Sequence, residues 1–554
     1  MTGKALNLST IMVTLVTSLF VTSCLADASK YVAAGWEFAG AKVDTLLARA
    51  DTMDKTPIDG CILYLEATGR DGKAITSRDI INQPAWDYSC LEPLVPKYRK
   101  LLAHKAFKSS FLNSYRAPRT RVAWTNDAEW AKIAHNMRIA ARFAKECGFV
   151  GLQMDPEDYH HQNQYLWQDS DGSTYEETAA LVRKRSRNVF AGVFEEFPDV
   201  YLLSYWFLSM ESAYFGVEDG RGLRDIMYRN GVDLWPHFVE GIFDVLPSSV
   251  TLIDGLETAY KWRASRMQYL IGANNVRMDL LHLLSPENKR KYLSQMQNSF
   301  GFYLDGYSVI TNGGWYMEPI EGSRVRHLLC NLKQATGCAE EFIWFWGERG
   351  SWTGIKDKPA WSELMPGLHD AMLAVKSPAE LGRSLRLRME AGELSNLNTN
   401  SACQATATNC IPKPYGTWQE HPKYNLRRGV FMADLACGHG DRSSLVAQGV
   451  QRGCFTFSVR DRRPGEVVGI SFCTKGKHVS ASVGWTKNGK WDWSIQRVLI
   501  PIANNADADG WTQTDWGISV PDGADGFGLM LGAGQDEGEK CWYDDIMVIP
   551  AEYP

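Results

Sequence analysis

The sequence predicts an α/β fold in two parts, a (β/α)8 barrel followed by a domain of antiparallel strands. Between residue 31 and about residue 376, short apolar runs alternate with amphipathic stretches that have helical periodicity. Beyond residue 377, apolar and polar residues alternate and glycine is frequent, which is typical of antiparallel sheet. The chain has 554 residues, 45% of them hydrophobic, which is enough for two hydrophobic cores.

Eight apolar runs in the first part have the length of buried strands. They occupy residues 32–38, 60–66, 109–115, 149–157, 200–207, 250–257, 301–307 and 341–348. Eight strand–helix units over roughly 350 residues suit a TIM barrel with long loops, because insertions extend this fold. An open doubly wound sheet is the alternative, and it would normally carry a glycine-rich phosphate loop after its first strand. Ala39-Gly40 follows the first run instead, without a GxGxxG pattern.

The first 24 residues have the features of an export signal. Lys4 precedes an apolar stretch from Ile11 to Val21, which is too short to span a bilayer. The following Thr22-Ser23-Cys24 resembles the end of a bacterial lipobox, in which the cysteine becomes the lipidated first residue; cleavage after Ala26 is the alternative. We therefore expect an exported protein, either a lipoprotein of the outer membrane or cell surface or a secreted or periplasmic protein.

Composition suggests where the domains divide. We expect a catalytic barrel over 31–376, a linker over 377–413 and a β-sandwich over 414–554. The stretch 396–413 is rich in Asn, Ser, Thr and Ala, as linkers often are. The runs 467–472 and 479–485 alternate in the manner of strands.

Charge and cysteine content restrict the possible partners. The formal net charge is −5 and long runs of lysine or arginine are missing from the sequence, which argues against nucleic acid as a partner.

Of the twelve cysteines, eleven remain besides Cys24, an odd number for an oxidising compartment. Cys403 and Cys410 could pair, whereas Cys61 and Cys147 adjoin apolar runs and are expected to be buried thiols. The sequence has neither a CxxC pair nor an HExxH motif, so it predicts no metal site and no cofactor.

The fourth run has two distinct faces. Its apolar side chains alternate with those of Gly151, Gln153, Asp155 and Glu157. Because the apolar face must pack on the helices, the polar face is predicted to point into the barrel. A polar stripe that ends in two carboxylates is costly to bury without a purpose. It is expected at the C-terminal mouth, where barrel enzymes place their active sites.

Other runs also end in acidic or aromatic residues. Five acids have the parity or position to reach the same mouth, namely Glu37, Glu66, Glu257, Asp305 and Glu348. The full set of candidate substrate-binding residues is Glu37, Glu66, Tyr159, His160, Tyr205, Trp206, Glu211, Tyr260, Asp305, Trp346 and Glu348. The convergence of several acids on one pocket predicts acid–base chemistry more strongly than any single residue.

Crowded carboxyl groups suit glycosidic cleavage. This reaction needs a protonated carboxyl for the leaving oxygen and a second group that attacks or stabilises the oxocarbenium ion. Asp155 and Glu157 lie two residues apart on one face, so ionising one should raise the pKa of the other. Their titrations are therefore expected to be coupled.

The segment Gly151-Leu-Gln-Met-Asp155-Pro-Glu157-Asp158-Tyr159 resembles the fourth-strand motif of family 18 chitinases. The resemblance covers nine residues, and Gln153 stands where that family often has another acid. It implies that Glu157 is the general acid and that Asp155 orients an N-acetyl group of the substrate, which serves as the nucleophile. A two-carboxylate mechanism is the alternative. In it Asp155 is the nucleophile and Glu257 the acid/base, as in the retaining α-glycosidases it resembles, with Glu211 a weaker partner.

Arginines crowd the loop after the third run. Arg116, Arg119 and Arg121 could bind the carboxylate or sulfate of an anionic polysaccharide. Salt bridges to the nearby acids are the alternative.

The C-terminal part also carries a resemblance. The segments Cys541-Trp-Tyr-Asp-Asp-Ile-Met-Val-Ile-Pro550, Gly510-Trp-Thr and 520–524 resemble the last strands of galactose-binding-like jelly rolls and carbohydrate-binding modules of that shape. This resemblance implies a jelly-roll sandwich. Four tryptophans could form a sugar-binding platform: Trp485, Trp491, Trp493 and Trp511.

The sequence thus predicts an exported glycoside hydrolase that cleaves a polysaccharide or complex glycan by carboxylate catalysis. The catalytic residues are expected to be Glu157, Asp155 and Glu257. A non-catalytic surface glycan-binding protein and a polysaccharide lyase are the alternatives.

Overall fold

The computed structural model describes residues 29–209, 220–263 and 265–551. The predicted export signal with Cys24, and Glu211, lie outside these residues. The chain divides into two compact units. The first comprises the chain up to Met317 together with Lys333–Ala360, and the second comprises Glu318–Leu332 and the chain from Trp361 onward.

The first unit is built on a parallel sheet of nine strands. The strands of this unit are β1 (Lys30–Gly35), β2 (Gly60–Leu63), β3 (Glu66–Thr68), β4 (Ala74–Thr76), β5 (Phe111–Arg116), β6 (Gly151–Asp155), β7 (Tyr201–Ser204), β8 (Thr251–Asp254), β9 (Met296–Asn298), β10 (Gly301–Tyr303) and β11 (Phe342–Gly347). The sheet has the order β10-β11-β1-β2-β5-β6-β7-β8-β9, and β3 pairs with β4 in a separate hairpin. Only Ser299 and Phe300 separate β9 from β10 in the chain, although these two strands stand at opposite ends of that order.

The predicted α/β class with parallel strands is confirmed. Several strands end earlier than predicted, because the apolar character of a run continues into the turn that follows it. Strand β8 ends at Asp254, and Glu257 begins a short 3-10 helix, Glu257–Lys261. Strand β2 ends at Leu63, so Glu66 belongs to the β3–β4 hairpin.

Strand β6 shows why this segment forms an inner strand. Leu152, Met154 and Gln153 are all fully buried, so both faces of the strand are covered. The amide of Gln153 accepts a hydrogen bond of 2.6 Å from Asn113 Nδ2 on the neighbouring strand β5, which satisfies a buried polar group. At Gly151, a Cβ atom would lie 2.0 Å from the carbonyl oxygen of Tyr201, so only glycine fits.

Helices follow most strands of the first unit. They are Val43–Leu47, Ala50–Met53, Val95–Leu102, Asp127–Cys147, Tyr175–Glu196, Gly220–Arg229, Trp235–Val245, Arg266–Arg277, Pro286–Gln295 and Arg324–Thr336, the last of which contributes residues to both units. The longest helices have strong end signals. The side chain of Asn126 caps Asp127–Cys147, Gly148 ends that helix at φ 93°, and Thr174 with Glu177 forms a capping box. Among the described helices, none has both the length and the hydrophobicity needed to span a bilayer.

The second unit contains two antiparallel sheets around a shared core. Its strands are β12 (Gly416–Gln419), β13 (Val430–Asp434), β14 (Ser444–Gln448), β15 (Gly453–Val459), β16 (Val467–Gly476), β17 (Val479–Lys487), β18 (Lys490–Trp491), β19 (Val498–Ile500), β20 (Trp511–Ser519), β21 (Gly526–Ala533) and β22 (Lys540–Pro550). One sheet has the order β12-β15-β21-β17-β18, with β19 paired to β17, and the other has the order β13-β14-β22-β16-β20. Phe455, Phe472 and Tyr543 belong to one buried cluster that draws on both sheets.

Part of the predicted linker is helical. Three helices precede the sheets, Trp361–Leu364, Leu368–Lys376 and Pro378–Glu390. The last begins with proline, a favoured first helical residue, and buries Leu381 and Leu385 on one face. Gly517 and Gly469 make room for these two leucines on β20 and β16. The helix is therefore part of the second unit.

The cysteines form no disulfide among the described residues. Eleven thiols are free, including Cys403 and Cys410, so the suggested pairing of these two is wrong. Cys403 is buried, with its sulfur 3.5 Å from the hydroxyl of Tyr415, whereas Cys410 contacts the carbonyl oxygen of Ala407 at 2.9 Å. Cys61 and Cys147 are buried thiols, as expected.

An ion pair fixes helix Pro378–Glu390 to β20. Arg386 donates to both carboxylate oxygens of Asp515, at 2.9 and 3.1 Å. We expect Arg386→Ala to lower the free energy of unfolding by about 3 kcal/mol, because it removes the cation from a largely buried carboxylate that then keeps the hydrogen bond from Ser471 Oγ. Urea unfolding of the full chain measures this loss. Arg383→Ala, an exposed position on the same helix, is the matched control, and equal losses in both variants would contradict the assignment.

Candidate active site

A pocket of about 230 Å³ opens where the strands of the parallel sheet end. Its lining residues are Trp36, Glu157, Tyr159, Tyr205, Glu257, Tyr260, Tyr303, Trp315, Trp346 and Glu348. Each of Trp36, Glu157, Tyr205 and Glu257 lies one to three residues beyond the end of a strand, on β1, β6, β7 and β8 respectively. The pocket therefore combines three acids with seven aromatic side chains.

Asp155 lies beneath this pocket, at the end of β6, and is 7% exposed. Burial raises the pKa of Asp155 to about 7; the Arg116 guanidinium opposes this shift and the Glu157 carboxylate adds to it. Arg116 Nε lies 3.8 Å from Asp155 Oδ2, which is too far for a hydrogen bond. The backbone N–H of Glu157 donates to Asp155 Oδ1 at 3.4 Å. Asp155 thus contacts the backbone of the acid that lines the pocket.

The environment of Glu257 disfavours the charged form of its carboxyl group. Burial raises the pKa of Glu257 well above its usual range, and the carboxylates of Glu157 and Asp155 raise it further. Its backbone N–H donates to the carbonyl of Tyr205 at 3.1 Å. Leu256, immediately before it, has a φ of 42°, a strained conformation for a residue other than glycine. This turn positions Glu257 at the pocket.

Glu348 is held by its neighbours. Its carboxylate accepts a hydrogen bond of 3.2 Å from the indole nitrogen of Trp346. The fully buried Asp305 accepts hydrogen bonds from the backbone N–H groups of Glu348, at 2.7 Å, and Arg349, at 3.1 Å. Asp305, a predicted substrate-binding residue, therefore fixes the backbone of Glu348 and is not among the pocket-lining side chains.

Aromatic rings form the pocket wall. Tyr205 stacks on Trp344 with ring centres 4.2 Å apart and an interplanar angle of 15°. Tyr260 and Tyr303 are also stacked, with centres 5.6 Å apart. The Tyr205 hydroxyl is buried and has no hydrogen-bond partner among the described residues. The wall therefore offers flat apolar faces together with an unsatisfied polar atom.

Two other predicted acids do not line the pocket. Glu37 is buried, and its carboxylate accepts hydrogen bonds from Ser351 Oγ at 2.8 Å, from Trp352 N at 3.0 Å and from Thr353 Oγ1 at 2.7 Å. Glu66 accepts a hydrogen bond of 3.0 Å from a hydroxyl in its own hairpin. Both acids therefore have structural partners.

Two further predicted residues are also elsewhere. Trp206 is buried against Trp235, with ring centres 5.4 Å apart, and is not a pocket-lining residue. His160 is exposed and is not among the residues that line the pocket.

The arginines after β5 differ in their surroundings. Arg121 donates to both oxygens of Asp171 at 2.9 Å, and Arg119 lies 3.2 Å from Asp79, so these two are paired with acids. Arg116 lies over the ring of Tyr159 with its guanidinium carbon 4.3 Å from the ring centre. The structure adds Arg78, which lies in the same way over Trp36 at 4.8 Å. The Nε atoms of Arg78 and Arg116 are buried without a hydrogen-bond partner in the described chain.

The four tryptophans of the second unit divide into two kinds. Trp485 and Trp511 are buried, whereas Trp491 and Trp493 are 40% and 72% exposed. Trp491 and Trp493 stack with centres 5.5 Å apart and an interplanar angle of 12°. A Cβ atom at Gly484 would lie 2.6 Å from the Trp491 ring, so the indole rests directly on the backbone of β17.

Comparisons with known proteins give only distant matches. No protein-family model matches the chain, and no curated protein sequence matches it. Among solved structures, tailspike protein 4 of bacteriophage CBA120 matches with 14% identity and a TM-score of 0.23 over 28% of this chain and 21% of that one. The CBM22-1 xylan-binding domain of Paenibacillus barcinonensis Xyn10C matches with 15% identity and a TM-score of 0.23 over 29% of this chain and 97% of that domain.

A third match is an arabinose-bound GH51 α-L-arabinofuranosidase, at 15% identity and a TM-score of 0.20 over 29% of this chain and 27% of that one. This chain thus spans between a fifth and a third of the tailspike domain and the arabinofuranosidase. At these scores the matches establish neither fold nor activity. The family 18 resemblance therefore depends on its nine residues alone.

The raised pKa of Asp155 predicts a pH-dependent cost in stability. In the unfolded chain an aspartate titrates near 4, so between about pH 4 and 7 the folded protein binds a proton that the unfolded chain lacks. The contribution of Asp155 to stability therefore falls as pH rises through this range. We expect the free energy of unfolding of Asp155→Asn, measured relative to wild type, to be about 2 kcal/mol higher at pH 8 than at pH 5.

Urea unfolding at both pH values measures this difference. Asp509→Asn, at an exposed position, is the control and should show no such trend. A difference between Asp155→Asn and wild type that stays constant with pH would contradict the buried, proton-binding state of Asp155.

Proposed function

We propose that this protein is an exported glycoside hydrolase that cleaves a polysaccharide or complex glycan at the pocket above Asp155. The observation that carries the proposal is the pairing of Glu157 and Glu257 in one pocket with seven aromatic side chains. Glycoside hydrolysis needs two carboxyl groups in different protonation states, and aromatic faces suit the apolar faces of sugar rings. Export, and anchoring by a lipid at Cys24, remain proposals that rest on the sequence.

We also propose that the parallel sheet closes as a (β/α)8 barrel. Strand β9 pairs with β8, and strand β10 pairs with β11. Because only Ser299 and Phe300 separate β9 from β10, the two count as one interrupted strand, which makes eight. Closure would place the carboxyl ends of all eight strands around one mouth, the usual location of the active site in this fold.

The environments of the acids suggest their roles. Burial and two neighbouring carboxylates raise the pKa of Glu257, so this residue suits the role of the general acid that protonates the leaving oxygen. Glu157 also lines the pocket, and its carboxylate suits attack on, or stabilisation of, the oxocarbenium ion. Asp155 is best assigned as a positioning residue, because it contacts the Glu157 backbone and does not line the pocket. This assignment favours a two-carboxylate mechanism over the chitinase-like one, with Glu157 in the place that the sequence suggested for Asp155.

The substrate is proposed to be a glycan that can carry an anionic group. Among the described residues, Arg78 and Arg116 lie beside the pocket with Nε atoms that lack a hydrogen bond, and both stack on rings that line it. A guanidinium can donate two hydrogen bonds to one carboxylate or sulfate. Arg119 and Arg121, which are paired with Asp79 and Asp171, are poorer candidates for this role.

Glycan binding without catalysis is the second candidate function. Trp491 and Trp493 present two parallel, exposed rings in the second unit. Aromatic faces suit the apolar faces of sugar rings, and two adjacent exposed rings offer a larger apolar surface than a single one. We propose that this pair binds a sugar chain.

We expect Glu157→Gln and Glu257→Gln each to lower turnover by about 10²–10⁴-fold, the usual contribution of a positioned acid or base. Reducing-end release from a panel of neutral and anionic polysaccharides measures turnover, and ultraviolet absorbance of the product detects the unsaturated ends that a lyase would form. Glu176→Gln, an exposed position on helix Tyr175–Glu196, is the control and should retain full activity. Activity within tenfold of wild type in both pocket variants would remove these acids from the mechanism.

We expect Trp493→Ala to weaken glycan binding about tenfold, which corresponds to ~1.4 kcal/mol. Affinity electrophoresis in gels that contain the polysaccharide measures binding independently of cleavage. Trp418→Ala, at a position that is 48% exposed on β12, is the matched control. Equal retention of Trp493→Ala and wild type in every gel would exclude the ring pair as a binding site.

A further inference from the structure

The second unit brings a histidine, a cysteine and an aspartate together from three chain segments. His439 Nδ1 lies 2.6 Å from Asp545 Oδ2 and 3.4 Å from Cys473 Sγ. Gln513 Oε1 is 3.0 Å from the same sulfur. His439 lies in the loop between β13 and β14, whereas Cys473, Gln513 and Asp545 lie on the adjacent strands β16, β20 and β22. Imidazole, thiolate and carboxylate are the side-chain groups that most commonly bind zinc.

The spacing of these atoms is close to that of a tetrahedral zinc site. Zinc bonds of about 2.3 Å to sulfur and about 2.0–2.1 Å to nitrogen and oxygen place the ligand atoms about 3.3–3.6 Å from one another. The sulfur–nitrogen distance already has this value, the nitrogen–oxygen distance of 2.6 Å must lengthen by about 1 Å or less, and the three ligand atoms all lie within 4.8 Å of one another. A side-chain rotation of this size is available to Asp545, whose side chain is 27% exposed.

A bulge in β22 directs Asp545 toward the cluster. Ser471 pairs with Met547, but Cys473 pairs with Asp544, so β22 contains one extra residue between these pairs. Asp545 has a φ of 47°, the left-handed conformation that is uncommon for residues other than glycine and asparagine. Bulges commonly redirect a side chain next to a functional site.

His439 is also held as metal-binding histidines usually are. Its second ring nitrogen, Nε2, lies 3.5 Å from a carboxylate oxygen of Asp507. Its backbone N–H donates to Asp544 at 2.8 Å. A histidine that ligates a metal through one nitrogen generally gives the other N–H to a carboxylate, which fixes the ring.

Burial distinguishes this cluster from two others in the described chain. Cys473 is fully buried, and His439 is 34% exposed at its side chain, so the sulfur is protected and the imidazole is open to solvent. The groups Asp51–Asp54–His104 and His478–Asp536–Glu539 contain no thiol, and in neither group is any residue buried. Thiolate ligands favour zinc over calcium and magnesium.

We propose that His439 Nδ1, Cys473 Sγ and Asp545 Oδ2 bind a zinc ion, with Gln513 Oε1 as the fourth ligand. Binding releases the thiol proton of Cys473 to the solvent, and His439 ligates as a neutral imidazole that keeps one proton on Nε2, on the side of Asp507. The ion would connect the β13–β14 loop to β16 and β22. Its role is structural, because four protein ligands leave no open position for a substrate.

Cobalt titration of the chelator-treated full chain tests the proposal. Co²⁺ in a tetrahedral site with a thiolate gives intense visible bands and a near-ultraviolet sulfur-to-metal charge-transfer band. We expect both in wild type and in Cys454→Ser, a control at a second buried thiol. We expect neither in Cys473→Ser nor in His439→Gln. Zinc should also raise the Tm of wild type and of the Cys454 variant by several degrees, and leave the Tm of the other two unchanged.

A wild-type protein without the charge-transfer band overturns the proposal, whatever the behaviour of the variants. Bands that survive in folded Cys473→Ser overturn it as well, because they place the metal elsewhere. Should Cys473→Ser fail to fold, as judged by circular dichroism, His439→Gln decides between the outcomes, since its side chain is partly exposed.

Discussion

The structure depends on the burial of carboxyl groups where the parallel strands end. Water stabilises a carboxylate, and the pocket withdraws most of that water from Asp155 and Glu257, so the pKa of each is raised and the remaining charges repel. Strand β6, which ends at Asp155, is buried on both faces, and its buried Gln153 amide accepts a hydrogen bond from Asn113. The same desolvation raises the pKa of Glu257, and a raised pKa favours the protonated form that an acid catalyst needs.

Two further buried acids, Glu37 and Asp305, fix backbone segments near the pocket. Glu37 and Asp305 are as deeply buried as Asp155, and both accept hydrogen bonds from the protein: Glu37 from hydroxyl and backbone N–H groups, and Asp305 from two backbone N–H groups. Asp305 fixes the backbone at Glu348, and Glu37 fixes the turn at Ser351–Thr353. Burial alone therefore does not mark an acid as catalytic. The distinction lies in whether the side chain lines the pocket, as those of Glu157, Glu257 and Glu348 do.

The sequence predicts the parallel α/β unit and the inner strand β6. Apolar and polar residues alternate strictly around Gln153, and in a sheet covered on both faces the apolar side chains must pack against the helices. It also leads to seven of the ten pocket-lining residues. It does not separate Glu257 from Glu37 or Asp305, since all three follow apolar runs and their partners lie far away in the chain. Trp36, Tyr303, Trp315 and Arg78 carry no local signal, and the cluster around His439 combines segments whose spacing matches no motif. The helix Pro378–Glu390 was predictable from its proline start and its apolar face, but the loop-like composition that follows obscured it.

Infrared difference spectroscopy at pH 6 tests the central claim most directly, since a protonated carboxyl group has a carbonyl band that a carboxylate lacks. The account predicts this band in wild type and its partial loss in variants in which an amide replaces the carboxyl group of Asp155 or Glu257. A wild-type spectrum at pH 6 without any protonated carboxyl band would contradict it, because all the acids at the pocket would then be ionised and no desolvated proton donor would exist.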